Sequence, residues 1–302
     1  MIKKFDFVSK FRSANIISII LVFSSLLLIF FKGLNFGIDF KGGTLIELRV
    51  EPKNINISDI RSAFSKLELG DLNVKEFGKK GDYLIKFEKK NFDQGINIKS
   101  IKENIKNQLG QEINFRRVEN VGPKVSKELL SSGILAICLA LSAMLFYIWV
   151  RFEWQFSLGS IIAIFHDVLI TLGIFSLLFF EINLSIIAAV LTIVGYSMND
   201  TVVIYDRIRE NLLKYTKISI SDVSNLSINE TLARTIITSV TTLLALVSIY
   251  ILGGEILRGF SFAMILGVLI GTYSSIFVAS PILKFLKVSH KTLEKEEEKI
   301  HP

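Results

Sequence analysis

The stretch Leu184–Ile204, LSIIAAVLTIVGYSMNDTVVI, runs for 21 residues with one charged side chain, Asp200. A helix needs about 20 mostly apolar residues to cross roughly 30 Å of hydrocarbon, so this stretch predicts a membrane span. The same criterion selects Ala14–Phe31, Gly133–Val150, Ser157–Phe180, Thr235–Leu252 and Phe260–Phe285. Composition agrees. Of 302 residues half are hydrophobic and 21% charged, with a mean hydropathy of +0.49, whereas soluble domains are about 25% charged. The expected fold class is an α-helical polytopic membrane protein with six transmembrane helices.

Between the first and second spans lies a polar segment, residues 32–132, too charged to cross a bilayer. Thr44–Val50 reads as a strand, Ser58–Leu67 as a helix, and Asn73–Phe77 and Tyr83–Phe87 as strands joined by a turn at Gly78–Asp82. Ile96–Leu109 sets Ile98, Ile101, Ile105 and Leu109 on one helical face before Gly110, and Asn114–Val118 reads as a last strand. The order βαββαβ predicts an α+β ferredoxin-like domain, whose free sheet face or edge is a place to meet another polypeptide. A spacer domain with no binding role is the alternative.

The domain boundaries expected are a cytoplasmic N-terminus over 1–13, helix 1 over 14–31 and the α+β domain over 32–132. Helices 2–6 follow within 133–286 (133–150, 157–180, 184–204, 235–252 and 260–285), and a charged tail closes the chain over 287–302. Basic residues mark the inside. They occur before the first span (Lys3, Lys4, Lys10, Arg12), at Arg151, between spans four and five (Arg207, Arg209, Lys214, Lys217) and towards the tail (Lys284, Lys287, Lys291, Lys295, Lys299). The connection Glu181–Asn183 has none and Gly253–Gly259 only Arg258, so both termini are expected in the cytoplasm and the α+β domain outside. The first block lacks a small-residue cleavage site and is expected to stay as an anchor rather than leave as a signal peptide.

Several chemistries are disfavoured. One cysteine, Cys138, and three scattered histidines do not make a disulfide framework or a metal site, and no GxxxxGK[ST] phosphate loop occurs. No nucleophile–base set appears, so neither an enzyme nor a cofactor is expected.

Asp200 is the residue that calls for an explanation. At 1.5 Å per residue it lies roughly 24 Å along its helix from Leu184. An ionised carboxylate there is costly unless paired, hydrated or protonated. The sequence offers Arg234, which enters apolar sequence after a capping-box pattern at Ser227–Glu230 and is followed by Thr238, Ser239, Thr241 and Thr242. A titrating pair or a static helix-locking ion pair would both fit. His166 and Asp167 lie at the middle of span three, and adjacent helical residues point about 100° apart. They are expected to line a wet path separately or to make structural hydrogen bonds. With Asn199, Thr238, Ser239 and Thr242 they form a candidate secondary polar pathway. Asp39, Gly42 and Gly43 in Gly37–Thr44, and Gly122 and Pro123 in Val121–Ser126, read as structural turns.

These motifs together resemble the SecF branch of the SecD/SecF family, within the resistance-nodulation-division superfamily. The resemblance rests on GYSMNDTVVIYDRIREN (Gly195–Asn211), RTIITS (Arg234–Ser239) with Thr241–Leu244, GIDFKGGT (Gly37–Thr44) and VGPKVS (Val121–Ser126), and reaches from Phe5-Asp6-Phe7 to the end of span six. It implies a multi-pass protein of the bacterial inner membrane. Such a protein works with SecD, SecYEG, YajC and YidC, and uses a proton or sodium gradient to promote polypeptide export. It implies ion coupling at Asp200 and Arg234. A small-molecule exporter of the same superfamily would carry two six-span copies, and this chain has one. A passive assembly factor would not require Asp200 inside the membrane.

Overall fold

The computed structural model describes residues 5–51, 55–67, 69–76, 80–88, 98–110, 112–290 and 292–293. In chain order the first elements are α1 (Phe11–Lys32), β1 (Asn35–Phe36), α2 (Ile38–Lys41), β2 (Gly43–Glu51), α3 (Ile57–Ser65), β3 (Asp71–Glu76) and β4 (Asp82–Glu88). Next come α4 (Ile98–Leu109), β5 (Glu112–Val121), α5 (Pro123–Arg151), α6 (Trp154–Leu178), β6 (Glu181–Ile182), α7 (Leu184–Lys214) and α8 (Ile220–Leu252). The last are α9 (Gly254–Ser274), a π-helical turn (Ser275–Ala279) and α10 (Ser280–Phe285). The chain divides into two units, Met1–Asn35 with Ala136–Pro302, and Phe36–Leu135.

In the helical unit, six segments among the described residues are long and apolar enough to span a membrane. The chain is a polytopic helical membrane protein. The helices outrun the apolar blocks. α5 starts at Pro123, a residue suited to the first helical position because its missing N–H would have no partner there. α7 continues through the charged residues after Ile204 to Lys214. α8 begins at Ile220, where Ser219 accepts a hydrogen bond from the Asp222 backbone N–H at 3.2 Å. That cap corrects the expectation that the helix starts at Ser227. An earlier Ser-x-x-Asp serves as its N-terminus, and Ser227 lies buried inside the helix, its hydroxyl taking a hydrogen bond from Asn211 Nδ2 at 2.9 Å.

Three of these helices form the interior. Half of the most apolar stretch is buried in α6 and in α7 and 56% in Leu257–Phe285, against 17%, 6% and 17% in α1, α5 and α8. The α7–α9 seam is close because glycine permits it. A Cβ on Gly267 would press into Ile193, and one on Gly271 would lie 3.0 Å from Ser197 Cβ. The π turn frees backbone carbonyls, which a membrane interior penalises unless they are satisfied. Tyr205 donates to Ala279 O at 2.9 Å, and Ser280 Oγ to Ser275 O at 3.0 Å. Gly159 leaves room for that tyrosine hydroxyl.

The unit Phe36–Leu135 contains a four-stranded sheet in the order β3-β4-β2-β5, with every neighbouring pair antiparallel. Alternation along β2 and β4 puts Ile46, Leu48, Val50, Tyr83, Ile85 and Phe87 into one core with Ile60, Phe64, Ile101 and Ile105 of α3 and α4. Asn56 and Asp59 form a capping box at the start of α3. The β2–β5 register shifts between Glu47 and Leu48. The opposite face carries a charge cluster. Arg49 holds Asp82 through two bonds of 2.6 and 2.7 Å, and Arg116 reaches the same carboxylate at 3.4 Å. Gly78 and Lys79 of the expected Gly78–Asp82 turn and the start of the expected Ile96 helix lie outside the described residues.

Candidate functional site

The turn motifs fold against each other. Ile38–Lys41 makes one helical turn, after which Gly42 (φ 81°) and Gly43 (φ 134°) take conformations that favour glycine. A Cβ on Gly43 would also meet Phe87 O at 2.8 Å. Gly43 pairs with Val121, and Ser126 Oγ donates to Ile38 O at 3.5 Å, so GIDFKGGT and VGPKVS are neighbours rather than separate turns. Pro123 is the first residue of α5, while Asp39 belongs to the single turn of α2.

Asp200 is 3% exposed on α7, and its Oδ2 has no hydrogen-bond partner. Arg234 of α8 and Thr272 of α9 are the polar side chains near its carboxyl, and neither makes a hydrogen bond or ion pair to it among the described residues. Thr272 in turn shares a 2.7 Å hydrogen bond with Ser239, so three helices converge on this carboxylate. Arg234 is exposed on its helix and makes none of the ion pairs within 4.0 Å among the described residues. The expected pair is therefore a through-space interaction in this conformation, not a contact.

The other polar positions separate. Thr238 donates back to Arg234 O at 3.0 Å, and Thr242 Oγ1 accepts from Tyr196 at 3.3 Å. Asn199 points out of the bundle, exposed. Of the candidate secondary pathway, only Ser239 joins the Asp200 cluster.

His166 and Asp167 behave differently from the expectation of two independent directions. His166 Nδ1 lies 2.8 Å from Asp167 Oδ1. Their Cα–Cβ bonds diverge, but both side chains are long enough to bend back to each other. Asp167 Oδ2 accepts from Ser197 at 2.5 Å and from Ser274 at 2.8 Å, joining α6, α7 and α9. Tyr273 stacks on His166, with ring centroids 6.2 Å apart. Thr272 and Ser274 did not emerge from sequence reasoning. Their signal was the hydroxyl-rich run Gly271–Ser275 inside an apolar span.

The second half of GYSMNDTVVIYDRIREN is a set of ties between helix ends. Arg151 meets Asp206 at 3.0 Å and Arg209 meets Glu153 at 3.3 Å, while Arg207 meets Glu230 and Glu210 at 2.6 Å each. Nearby, the segment before α1 is held by α8. Asn229 Oδ1 accepts from Phe5 N and its Nδ2 donates to Phe5 O, both at 2.8 Å, and Asn225 Oδ1 accepts from Phe7 N at 2.8 Å.

Comparison with known proteins gives one consistent result. Residues 101–289 match the family described as protein export membrane protein SecD/SecF, C-terminal, and residues 27–53 match the SecD/SecF GG motif. The chain is 45% identical over 292 residues to the protein translocase subunit SecF of Rickettsia bellii, covering 96% of this chain and 95% of the relative. It is also 45% identical over 280 residues to the Cereibacter sphaeroides protein of the same name, covering 90% and 86%. Among solved structures it is similar to SecDF, a translocon-associated membrane protein from Thermus thermophilus, with a TM-score of 0.84 and 34% identity. That match covers 95% of this chain and 39% of the SecDF chain. A second SecDF structure, in a super-membrane-facing form, matches with a TM-score of 0.71 and 32% identity over 100% of this chain and 41% of the other. The chain belongs to the SecD/SecF family of protein export membrane proteins, among the SecF subunits.

Proposed function

We propose that this chain is an accessory subunit of Sec protein export that uses a proton or sodium gradient, with SecD, to promote polypeptide translocation through SecYEG. Asp200 is the ion-coupling residue and Arg234 its fixed counter-charge. The carrying observation is the buried carboxylate itself: Asp200 has one oxygen without a partner, deep in a span, with an arginine near but not in contact. A carboxylate locked in a static ion pair would be bonded to its partner. One that loads and unloads an ion needs a free lone pair and a charge whose distance can change.

The same reading makes Phe36–Leu135 a ferredoxin-like domain on the outer side of the inner membrane, with both termini in the cytoplasm. Its βαββαβ element order and β3-β4-β2-β5 strand order support this. A complementary six-span SecD unit would cover the exposed faces of α5 and α8, and YajC and YidC would be further partners. The resemblance of this chain to 39% of a SecDF chain supports the division into halves.

The test is export into membrane vesicles with an imposed gradient. Asp200→Asn keeps the shape and removes the charge change, so the complex assembles in normal amount and loses gradient-dependent stimulation. Full stimulation with Asn at this position refutes ion coupling through Asp200.

A further inference from the structure

We infer that Asp167 is a positioning residue for the Asp200 site, holding the two helices that build it through Ser197 and Ser274. The inference rests on the ion-coupling reading above and concerns a residue outside the Asp200–Arg234 pair. Asp167 is fully buried, at 0% exposure, in the middle of α6. Its neighbours within hydrogen-bonding distance are hydroxyls and one imidazole, not a lysine or arginine.

The geometry gives one oxygen two tasks. Oδ2 accepts from Ser197 on α7 at 2.5 Å and from Ser274 on α9 at 2.8 Å. Ser197 precedes Asp200 by one helical turn, and Ser274 follows by two residues Thr272, which bonds Ser239 of the Arg234 helix at 2.7 Å. The helix bearing the ion-binding carboxylate and the helix bearing Thr272 are thus pinned to the same atom. A second tier of bonds stiffens the pin. Thr201 and Ser275 hydroxyls are 2.8 Å apart, and Ser275 Oγ donates to Gly271 O at 2.9 Å. Gly271 lets Ser197 approach, since an added Cβ would lie 3.0 Å from Ser197 Cβ. The π turn starts at Ser275, so the pin also marks where α9 leaves regular geometry.

The titratable groups of α6–α9 tied to this cluster are Arg234 on α8, the His166–Asp167 pair bonded to Ser197 and Ser274, Tyr273 stacked on His166, Tyr196 bonded to Thr242 and Tyr205 bonded to Ala279 O. Proton affinity at a buried carboxylate depends on the hydrogen bonds and charges held around it. Releasing α7 from α9 lets Thr272 move relative to Asp200 and alters that affinity without touching Asp200. Chemistry separates positioning from charge. Asparagine keeps an oxygen for Ser197 and Ser274, and its amide can donate to a neutral His166. Alanine leaves both hydroxyls and the imidazole without their partner.

The experiment uses the full complex in membrane vesicles. It measures assembled complex and the proton concentration giving half-maximal gradient stimulation of export, for wild type, Asp167→Asn, Asp167→Ala and a Ser197→Ala/Ser274→Ala double variant. The last reads the same pin without removing the carboxylate, should Asp167→Ala not assemble. Alanine at Asp167 and the serine double variant are expected to shift the midpoint by about threefold or more, and asparagine by less than about twofold. An unchanged midpoint in the serine variant overturns the inference. So does a shift with asparagine as large as with alanine, because the charge of Asp167 itself would then be what matters. Asp200→Asn in the same vesicles reports on ion coupling alone. If it keeps full stimulation the coupling reading has failed, whereas its loss alongside an unmoved serine variant removes only the positioning role.

Discussion

Gly267→Ala tests the close α7–α9 seam that brings Asp200, Ser197 and Thr272 together. The new methyl would lie 2.7 Å from Ile193 Cδ1, 2.8 Å from Cγ2 and closer still to Cγ1. Carbon atoms pack at about 3.5–4.0 Å, so on the order of 1 Å must be found. Ile193 is 1% exposed, and a β-branched side chain in a helix holds essentially one χ1 rotamer, so it has nowhere to turn. Overpacking of this kind costs about 1–3 kcal/mol, and the better helix propensity of alanine returns about 1 kcal/mol. A net loss of up to about 2 kcal/mol follows. Ile193→Ala alone leaves a cavity and costs about 2–5 kcal/mol, but it also removes all three clashing atoms. Combined, the new methyl occupies part of the space vacated by the isoleucine. The double variant should therefore be more stable than the sum of the single changes by about 1–2 kcal/mol, read from thermal unfolding of the four proteins in one detergent. Additivity within about 0.5 kcal/mol would refute the argument that the seam is set by this glycine–isoleucine contact.

Two further outcomes follow from contacts outside the ion site. Tyr83 donates to Ile55 O at 2.5 Å, and burial, with Glu76 and Asp59 nearby, raises its pKa above the ordinary value near 10. The folded form then holds its proton more tightly than the unfolded form, so this contribution is complete below pH 10 and is lost as pH rises through the raised pKa. Tyr83→Phe should cost about 1–3 kcal/mol at neutral pH, from the orphaned carbonyl, and flatten the alkaline decline in stability measured by unfolding at pH 8–11; an unchanged decline would exclude Tyr83 as its source. Asn229→Ala removes both hydrogen bonds to Phe5, and hydrogen exchange at the amides of Phe5 and Phe7 should accelerate severalfold while the α8 interior stays protected; unchanged exchange would show that Asn225 and the packing of the Phe7 ring on Phe277 hold the segment without Asn229.

The elements that were legible before the fold was known are those with a local cause. Each apolar block carries its own reason to become a helix, since a backbone in hydrocarbon must satisfy its hydrogen bonds within the segment. The strands β2 and β4 announce themselves through alternation, and Asp200 stands out because a lone charge in apolar sequence is costly wherever its neighbours are. The start of α8 was misread because Ser219-x-x-Asp222 and Ser227-x-x-Glu230 are equivalent patterns, and only the burial of Ser227 against Asn211 separates them.

The sequence by itself determined the number of spans, the presence of a separate α+β segment and the isolation of one carboxylate on α7. These are properties of twenty-residue windows. The tertiary structure decided which atoms meet. Asp167 reaches Ser274 across 107 residues of chain, and Ser239 reaches Thr272 across 33. Serine and threonine in a membrane helix can always bond to their own backbone, as Thr238 and Thr241 do here. Which hydroxyls instead cross to another helix depends on how closely the helices approach. That spacing is set by Gly267 and Gly271 against Ile193 and Ser197, a fit between two surfaces that neither surface encodes alone.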